Sequence, residues 1–160
     1  MDRINQILEH PLFKEHMEAN AVKEKGRIFC RHNMNHSLDV ARIAYILNIE
    51  EEHGVSKDLI YAAALLHDIG RHVQYETGEK HAFVSARMAP EILHECGFDE
   101  EECKEVVDAI YYHSDKSVIG KRGLKGLIAK ADQMSRACHS CQAAEYCKWS
   151  EERKNHKIEW

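Results

Sequence analysis

The sequence contains no apolar run approaching the roughly 20 residues that span a bilayer. Its opening, MDRINQILEH, has neither the apolar segment nor the small-residue cleavage site of a secretory leader. These absences make a cytoplasmic protein without a membrane partner the expectation. There is no basic surplus either: the net charge is -5, with 31% of residues charged. That argues against general nucleic-acid binding and still allows a small anionic substrate held by a metal and a few local cations. No repeat, low-complexity tract or linker divides the 160 residues, so one domain is expected over 1–160. Prolines are limited to Pro11 and Pro90, and no segment sustains the period-two alternation of a strand. The six cysteines, lacking an export signal, read as reduced thiols or metal ligands before disulfides.

What is present is helical. Eight glycines punctuate the chain between segments whose apolar residues recur at helical spacing. A polar helix is expected over about 11–25, with Pro11 in its first turn. Val40, Ile43, Ala44 and Leu47 form a stripe within 36–53. Leu59, Ala62, Ala63 and Leu66 form another within 56–69, behind Ser56 as N-cap. Further helices are expected over 80–96, 99–113 and 124–134, and a last one over about 143–154. The fold class is therefore all-α, a single-domain bundle of about six or seven helices. Residues 71–80 and 114–126 read as loops, with the basic run KRGLKG read as a turn or an anion-facing loop.

Histidine is the surplus: twelve in 160 residues. His36 begins the stripe of Val40 and Ile43. His67 and Asp68 end the helix of Ala64 and Leu65. His81 precedes Val84 and Ser85, His113 follows Ala109 and Ile110, and Asp132 lies one turn beyond Ile128. Six metal-competent groups thus sit on, or end, the apolar faces of five helices. An ionised carboxylate on such a face is costly unless paired or metal-bound. Mixed imidazole and carboxylate donors suit one or two divalent ions, iron or manganese first, then zinc, cobalt, nickel or magnesium, and not calcium.

The order His36, His67-Asp68, Asp132 resembles the H…HD…D signature of the HD superfamily. HNMNHSLDVARIA resembles its first motif, ALLHDIGR its central one and LIAKADQMSR its last. The match covers about 27–136 and leaves 137–160 as a cysteine-containing extension. His81 and His113 resemble the extra histidines of the two-metal branch, similar to the bacterial family that splits diadenosine tetraphosphate. The HHExxDGxGYP block of the cyclic di-GMP branch is lacking.

The resemblance implies a phosphohydrolase of a nucleotide or related phosphate ester, with a dinucleoside polyphosphate as best single guess, working through a metal-activated hydroxide. His36, His67 and Asp132 would complete one ion's shell, Asp68 would bridge, and His81 and His113 would serve the second ion. Arg71, where many relatives carry lysine, is assigned to phosphate contact. Lys130 is a further catalytic candidate, and Arg27 and His32 are substrate-binding candidates. The alternative from another class is a non-catalytic nucleotide-sensing module. Oligomeric state is open, a homo-oligomer included.

The C-terminal ACHSCQAAEYC places Cys138, Cys141 and Cys147 together. Cys-x-x-Cys is a metal-knuckle spacing, so a structural zinc stands against plain packing of small residues. Cys30, Cys96, Cys103 and His139 are candidates for a fourth ligand. A partner-binding protein organised by this segment is a third reading.

Overall fold

The computed structural model describes all 160 residues. It contains eight α-helices and no strand: α1 (Asp2–Glu9), α2 (Pro11–Lys23), α3 (Met34–Glu50), α4 (Lys57–Leu66), α5 (Arg71–Thr77), α6 (His81–Glu95), α7 (Glu100–Tyr112) and α8 (Leu124–Met134). The all-α expectation holds. The helices beyond the expected number are α1 and α5, and α5 falls within the stretch read as a loop.

Helix starts follow local chemistry. Pro11 occupies the first turn of α2, and the His10 imidazole caps it by accepting from the Leu12 N–H. Asn33 caps α3 by accepting from His36 N–H at 3.2 Å, and Ser56 caps α4 by accepting from Leu59 N–H at 3.3 Å. Asp99 and Glu102 form a reciprocal capping box on α7.

The core forms around α4. Leu59, Ile60 and every residue from Ala62 to Leu66 are buried, because α1, α3, α7, α8 and α6 all pack against this helix. A helix apolar on nearly all sides must lie inside. Its C-terminal end therefore delivers His67 and Asp68 to the middle of the molecule, with 0% and 3% of their surfaces exposed. Around it, α3 packs on α8, α8 on α7, and α7 on α6, so the remaining candidate ligands converge on the same point.

Two glycines mark close approaches: Gly70, at the N-cap of α5, and Gly126. A Cβ at Gly70 would lie 2.7 Å from Ser85 N and from Val84 Cγ1, and one at Gly126, inside α8, would lie 1.8 Å from the Lys121 carbonyl oxygen.

The helix expected over 143–154 does not form. After α8 the chain makes single 3-10 turns at Cys138–Ser140, Ala144–Tyr146 and Glu151–Arg153. Beyond residue 136 only Ala143 is buried, so there is no apolar stripe to reward helix formation. Polar contacts shape this tail. Asn155 Nδ2 faces the carbonyls of Gln133, Met134 and Arg136 at 2.8–3.1 Å, and Trp149 lies between the guanidinium groups of Arg136 and Arg153.

Candidate metal centre

Five elements bring six side chains together. His36 comes from the first turn of α3, His67 and Asp68 from the end of α4, His81 from the start of α6, His113 from the end of α7 and Asp132 from the last turns of α8. The ligand atoms of His36, His67 and Asp132 lie within 4.8 Å of one another, as do those of His67, Asp68 and His113.

Backbone geometry sets the imidazole tautomers. His67 Nδ1 lies 2.7 Å from the Ala64 carbonyl, and His113 Nδ1 lies 2.7 Å from the Ile110 carbonyl. A carbonyl only accepts, so Nδ1 carries the proton in both, and each Nε2 presents a lone pair. His81 Nδ1 is bonded to Gln74 Oε1 at 2.8 Å, which turns its Nε2 inward too. His81 and His113 then face each other Nε2 to Nε2 at 3.0 Å, and His36 and His67 do so at 3.2 Å. The facing lone pairs of His81 and His113 at this distance call for a cation. Fixing the outer nitrogen to orient the inner one is how proteins prepare imidazole as a metal ligand.

Asp68 lies between the two pairs. Its Oδ2 is 3.2 Å from His67 Nε2 and 3.5 Å from His36 Nε2. Its Oδ1 is 3.2 Å from His81 Nε2 and 3.7 Å from His113 Nε2. Oδ2 is buried and accepts no hydrogen bond, an expensive state for a carboxylate oxygen without a metal. Asp132 Oδ1 approaches His36 Nε2 at 3.3 Å. An orphaned carboxylate oxygen among inward lone pairs fits a divalent metal, and these His/Asp clusters are able to bind one.

The electrostatics divide the imidazoles. Burial and the positive Arg71 hold His81 down to about 3, against the pull of Asp68. Burial and His67 hold His113 down to about 4. Burial opposes charge on His36 as well, but Asp132 and Asp68 outweigh it and raise His36 to about 9. Burial likewise opposes charge on Asp68, yet Arg71 and His67 hold it well below the usual carboxylate range. His36 does the same for Asp132. The charged carboxylates and neutral His81 and His113 are the protonation states that ligands need.

A surrounding layer fixes these groups, and most of it was not read from the sequence. Asn20 on α2, fully buried, donates to the Asp68 carbonyl at 2.9 Å and accepts from His72 N–H at 2.7 Å, clamping the turn after α4. Ser85 accepts from Gly70 N–H at 2.9 Å. Glu24 accepts from His32 N–H, His32 Nδ1 and Tyr75 Oη at 2.5–2.8 Å. Burial opposes its charge, but the His32 and Tyr75 hydrogen bonds prevail and hold the carboxyl at about 2. His32 Nε2 is thereby held 4.0 Å from Asp68 Oδ2.

Arg71 reaches the centre, its Nε 3.0 Å from Asp68 Oδ1. Arg27 lies farther out, on the wall of the cavity that His36 and Asp132 also line. Lys130 is not brought there. Its ammonium is 2.5 Å from Glu51 on the outside of the bundle, because α8 turns Asp132 and Lys130 to different sides. Cys138, Cys141 and Cys147 stand apart from the centre, and no three thiols lie within 4.8 Å of one another.

Two cavities open on the centre. One, of about 900 Å³, is lined by the loop between α2 and α3 and by the tail, including Arg27, Arg31, Phe29, Tyr146 and Lys148. The other, of about 540 Å³, contains His81, His113, Lys116, Ile119 and Arg153. Arg71, Asp132, Arg136 and Trp149 line both.

No helix is long and apolar enough to cross a membrane. A structural likeness links the chain to a "predicted HD superfamily hydrolase" from an uncultured Thermotogales bacterium, with a TM-score of 0.64 and 26% identity over 89% of this chain and 79% of that one. An uncharacterized protein of Clostridium beijerinckii is 42% identical over 99% of both chains. The Bacillus subtilis protein named "Putative phosphohydrolase YueE" is 28% identical over 80% of this chain and 73% of its own. Ribonuclease Y 1 of Pediococcus pentosaceus is 34% identical over 65% of this chain but only 18% of its own length. The HD domain model matches residues 33–148, a span that takes in His36, His67, Asp68 and Asp132, and the chain therefore belongs to the HD domain family.

Proposed function

We propose that this chain is a metal-dependent phosphohydrolase of nucleotides or related phosphate esters, with Asp68 as the carboxylate shared between two ions. The observation that carries this reading is the orphaned, buried Asp68 Oδ2 with two inward-facing imidazole pairs around the carboxylate. His36, His67, Asp68 and Asp132 would hold one ion, and Asp68, His81 and His113 the other. Divalent ions there supply Lewis acidity, which acidifies water and offsets phosphoryl charge.

The chain's own groups supply the rest. Arg71, anchored through Nε on Asp68, keeps guanidinium N–H groups for a non-bridging phosphoryl oxygen. Glu24 fixes the His32 ring on the wall of the larger cavity with Nε2 4.0 Å from Asp68 Oδ2, placed to hand a proton to the leaving oxygen. The two cavities meet at Arg71 and Asp132, which suits a substrate with an arm on each side of the scissile phosphorus. Arg27, Arg31 and Lys148 could meet further phosphates, and Phe29, Tyr146 and Trp149 a base. A dinucleoside polyphosphate has this shape and is the first substrate to try.

The test is turnover of a panel of dinucleoside polyphosphates, nucleotides and simple phosphate esters with added manganese or iron. Hydrolysis that Asp68→Ala abolishes is expected. A folded protein that binds nucleotides, retains metal and turns over none of a broad panel would replace this reading with that of a sensing module.

A further inference from the structure

The tail beyond residue 136 lacks what normally holds 24 residues in place. It has no α-helix, and Ala143 is its only buried residue. It nevertheless folds back over the loop between α2 and α3 and supplies Tyr146, Lys148 and Trp149 to the wall of the larger cavity. Segments with so little apolar burial are commonly stapled by a disulfide or a metal.

Four cysteines lie where the tail meets that loop. Cys138 and Cys141 flank a single 3-10 turn, closed by a Cys141 N–H to Cys138 carbonyl bond at 3.2 Å. Cys147 follows the next 3-10 turn. Cys30, on the loop between α2 and α3, lines the same cavity wall as Cys141 and Cys147. Burial and the nearby Cys138 and Cys141 push the Cys30 thiol up, so Cys30 shares their neighbourhood. The remaining cysteines are excluded: Cys96 and Cys103 are buried in the hydrophobic core, and Cys103 faces His94 at 3.5 Å. All six are free thiols.

We infer that Cys30, Cys138, Cys141 and Cys147 form a four-thiolate structural zinc site that fastens the tail to the loop between α2 and α3. The residue types and the Cys-x-x-Cys turn match tetrahedral zinc. The charge is compensated as well. Zinc with four thiolates carries a net charge of about -2. Arg136, whose Nη1 is buried without a partner, is close enough to Cys30 and Cys138 to feel their charge. Lys154 is similarly close to Cys147 and Cys138. The thiols are not drawn together as the ligands of the histidine–aspartate centre are. All four sit on loops or one-turn segments outside the α-helices, and side-chain rotation and loop adjustment there would have to bring them together. This site is separate from the phosphohydrolase reading, and its test reads metal and fluorescence, not turnover.

Zinc per chain is measured in protein reconstituted with zinc under reducing conditions, for Asp68→Asn, Asp68→Asn with Cys30→Ser, and Asp68→Asn with Cys138→Ser and Cys141→Ser. The Asp68→Asn background weakens the other centre. About one zinc in the background, lost when Cys30 or the pair is replaced, is expected. Cobalt in its place should give sulfur-to-cobalt charge transfer and tetrahedral d–d absorption. Both tryptophans, Trp149 and Trp160, lie in the tail. Stripping the zinc should therefore red-shift tryptophan emission while far-UV circular dichroism keeps its helical signal. Zinc retained in the Cys30→Ser variant would overturn the assignment, as would cobalt without thiolate bands, a disulfide among the four cysteines in the reconstituted protein, or iron with acid-labile sulfide. A variant that loses its helical signal is replaced by Cys30→Ala, judged by the cobalt spectrum.

Discussion

A side chain that never touches the candidate ligands can still set what they do, and Glu24 is the case in point. It accepts three hydrogen bonds in a nearly dry site and directs His32. On the phosphohydrolase reading, Glu24→Gln should lower kcat about 10- to 100-fold and alter the pH profile, with KM little changed. His32→Ala should cost at least as much, and the double variant no more than the larger single loss, because groups acting as a unit are not additive. Steady-state kinetics of the three variants decides: additive losses would mean that Glu24 serves only packing. Lys130 makes the opposite expectation. Its partner Glu51 is on the surface, and an exposed pair contributes at most about 1 kcal/mol. Lys130→Ala should leave kcat unchanged and shift the urea midpoint slightly. A large kcat loss would return Lys130 to the catalytic set.

At the scale of elements, the turn between α4 and α5 controls where α6 sits. Gly70 lets the Val84 side chain and the Ser85 backbone nitrogen approach closely, and its N–H bonds Ser85 Oγ. Gly70→Ala forces that contact apart, at about 1–3 kcal/mol by analogy with overpacked cores. The movement carries His81, at the start of α6, away from Asp68. The expected result is a folded protein with a lowered urea midpoint and reduced metal retention. An unchanged midpoint would show that α6 yields without effort. The sequence makes α3, α4, α6, α7 and α8 legible because each repeats apolar residues at helical spacing, and the ligands lie on or end those stripes. Glu24 was not legible, since it follows a polar helix whose apolar face is weak. Its one signal is that Asn20 and Glu24, four apart, share a side of the chain. The tail departs from the helix expected over 143–154: Ala143 to Lys154 have helix-forming residues, yet Trp149 and Asn155 are satisfied by contacts that a helix would break.

For the whole molecule, the buried histidines make stability depend on pH and metal together. His81 and His113 are held at about 3 and about 4, below their ordinary 6.5. Between 6.5 and those values the unfolded chain binds protons that the folded chain refuses, so stability falls as pH drops, at about 1.4 kcal/mol per pH unit for each fully unmatched proton. His36 acts with the opposite sign. Held at about 9, it keeps a proton in the folded chain that the unfolded chain has released above 6.5. Its contribution is full below 6.5 and is lost as pH rises toward about 9. Chelator-treated protein should therefore be most stable near pH 6.5 and lose stability on both sides. A bound ion replaces the His36 proton, so protein loaded with manganese should keep its urea midpoint from pH 6.5 to 9. Urea midpoints across pH, with and without metal, test both limbs. If the metal-free protein is as stable at pH 9 as at 6.5, His36 does not hold the proton that an ion would displace, and the pairing of His36 with Asp68 and Asp132 is weaker than their distances imply.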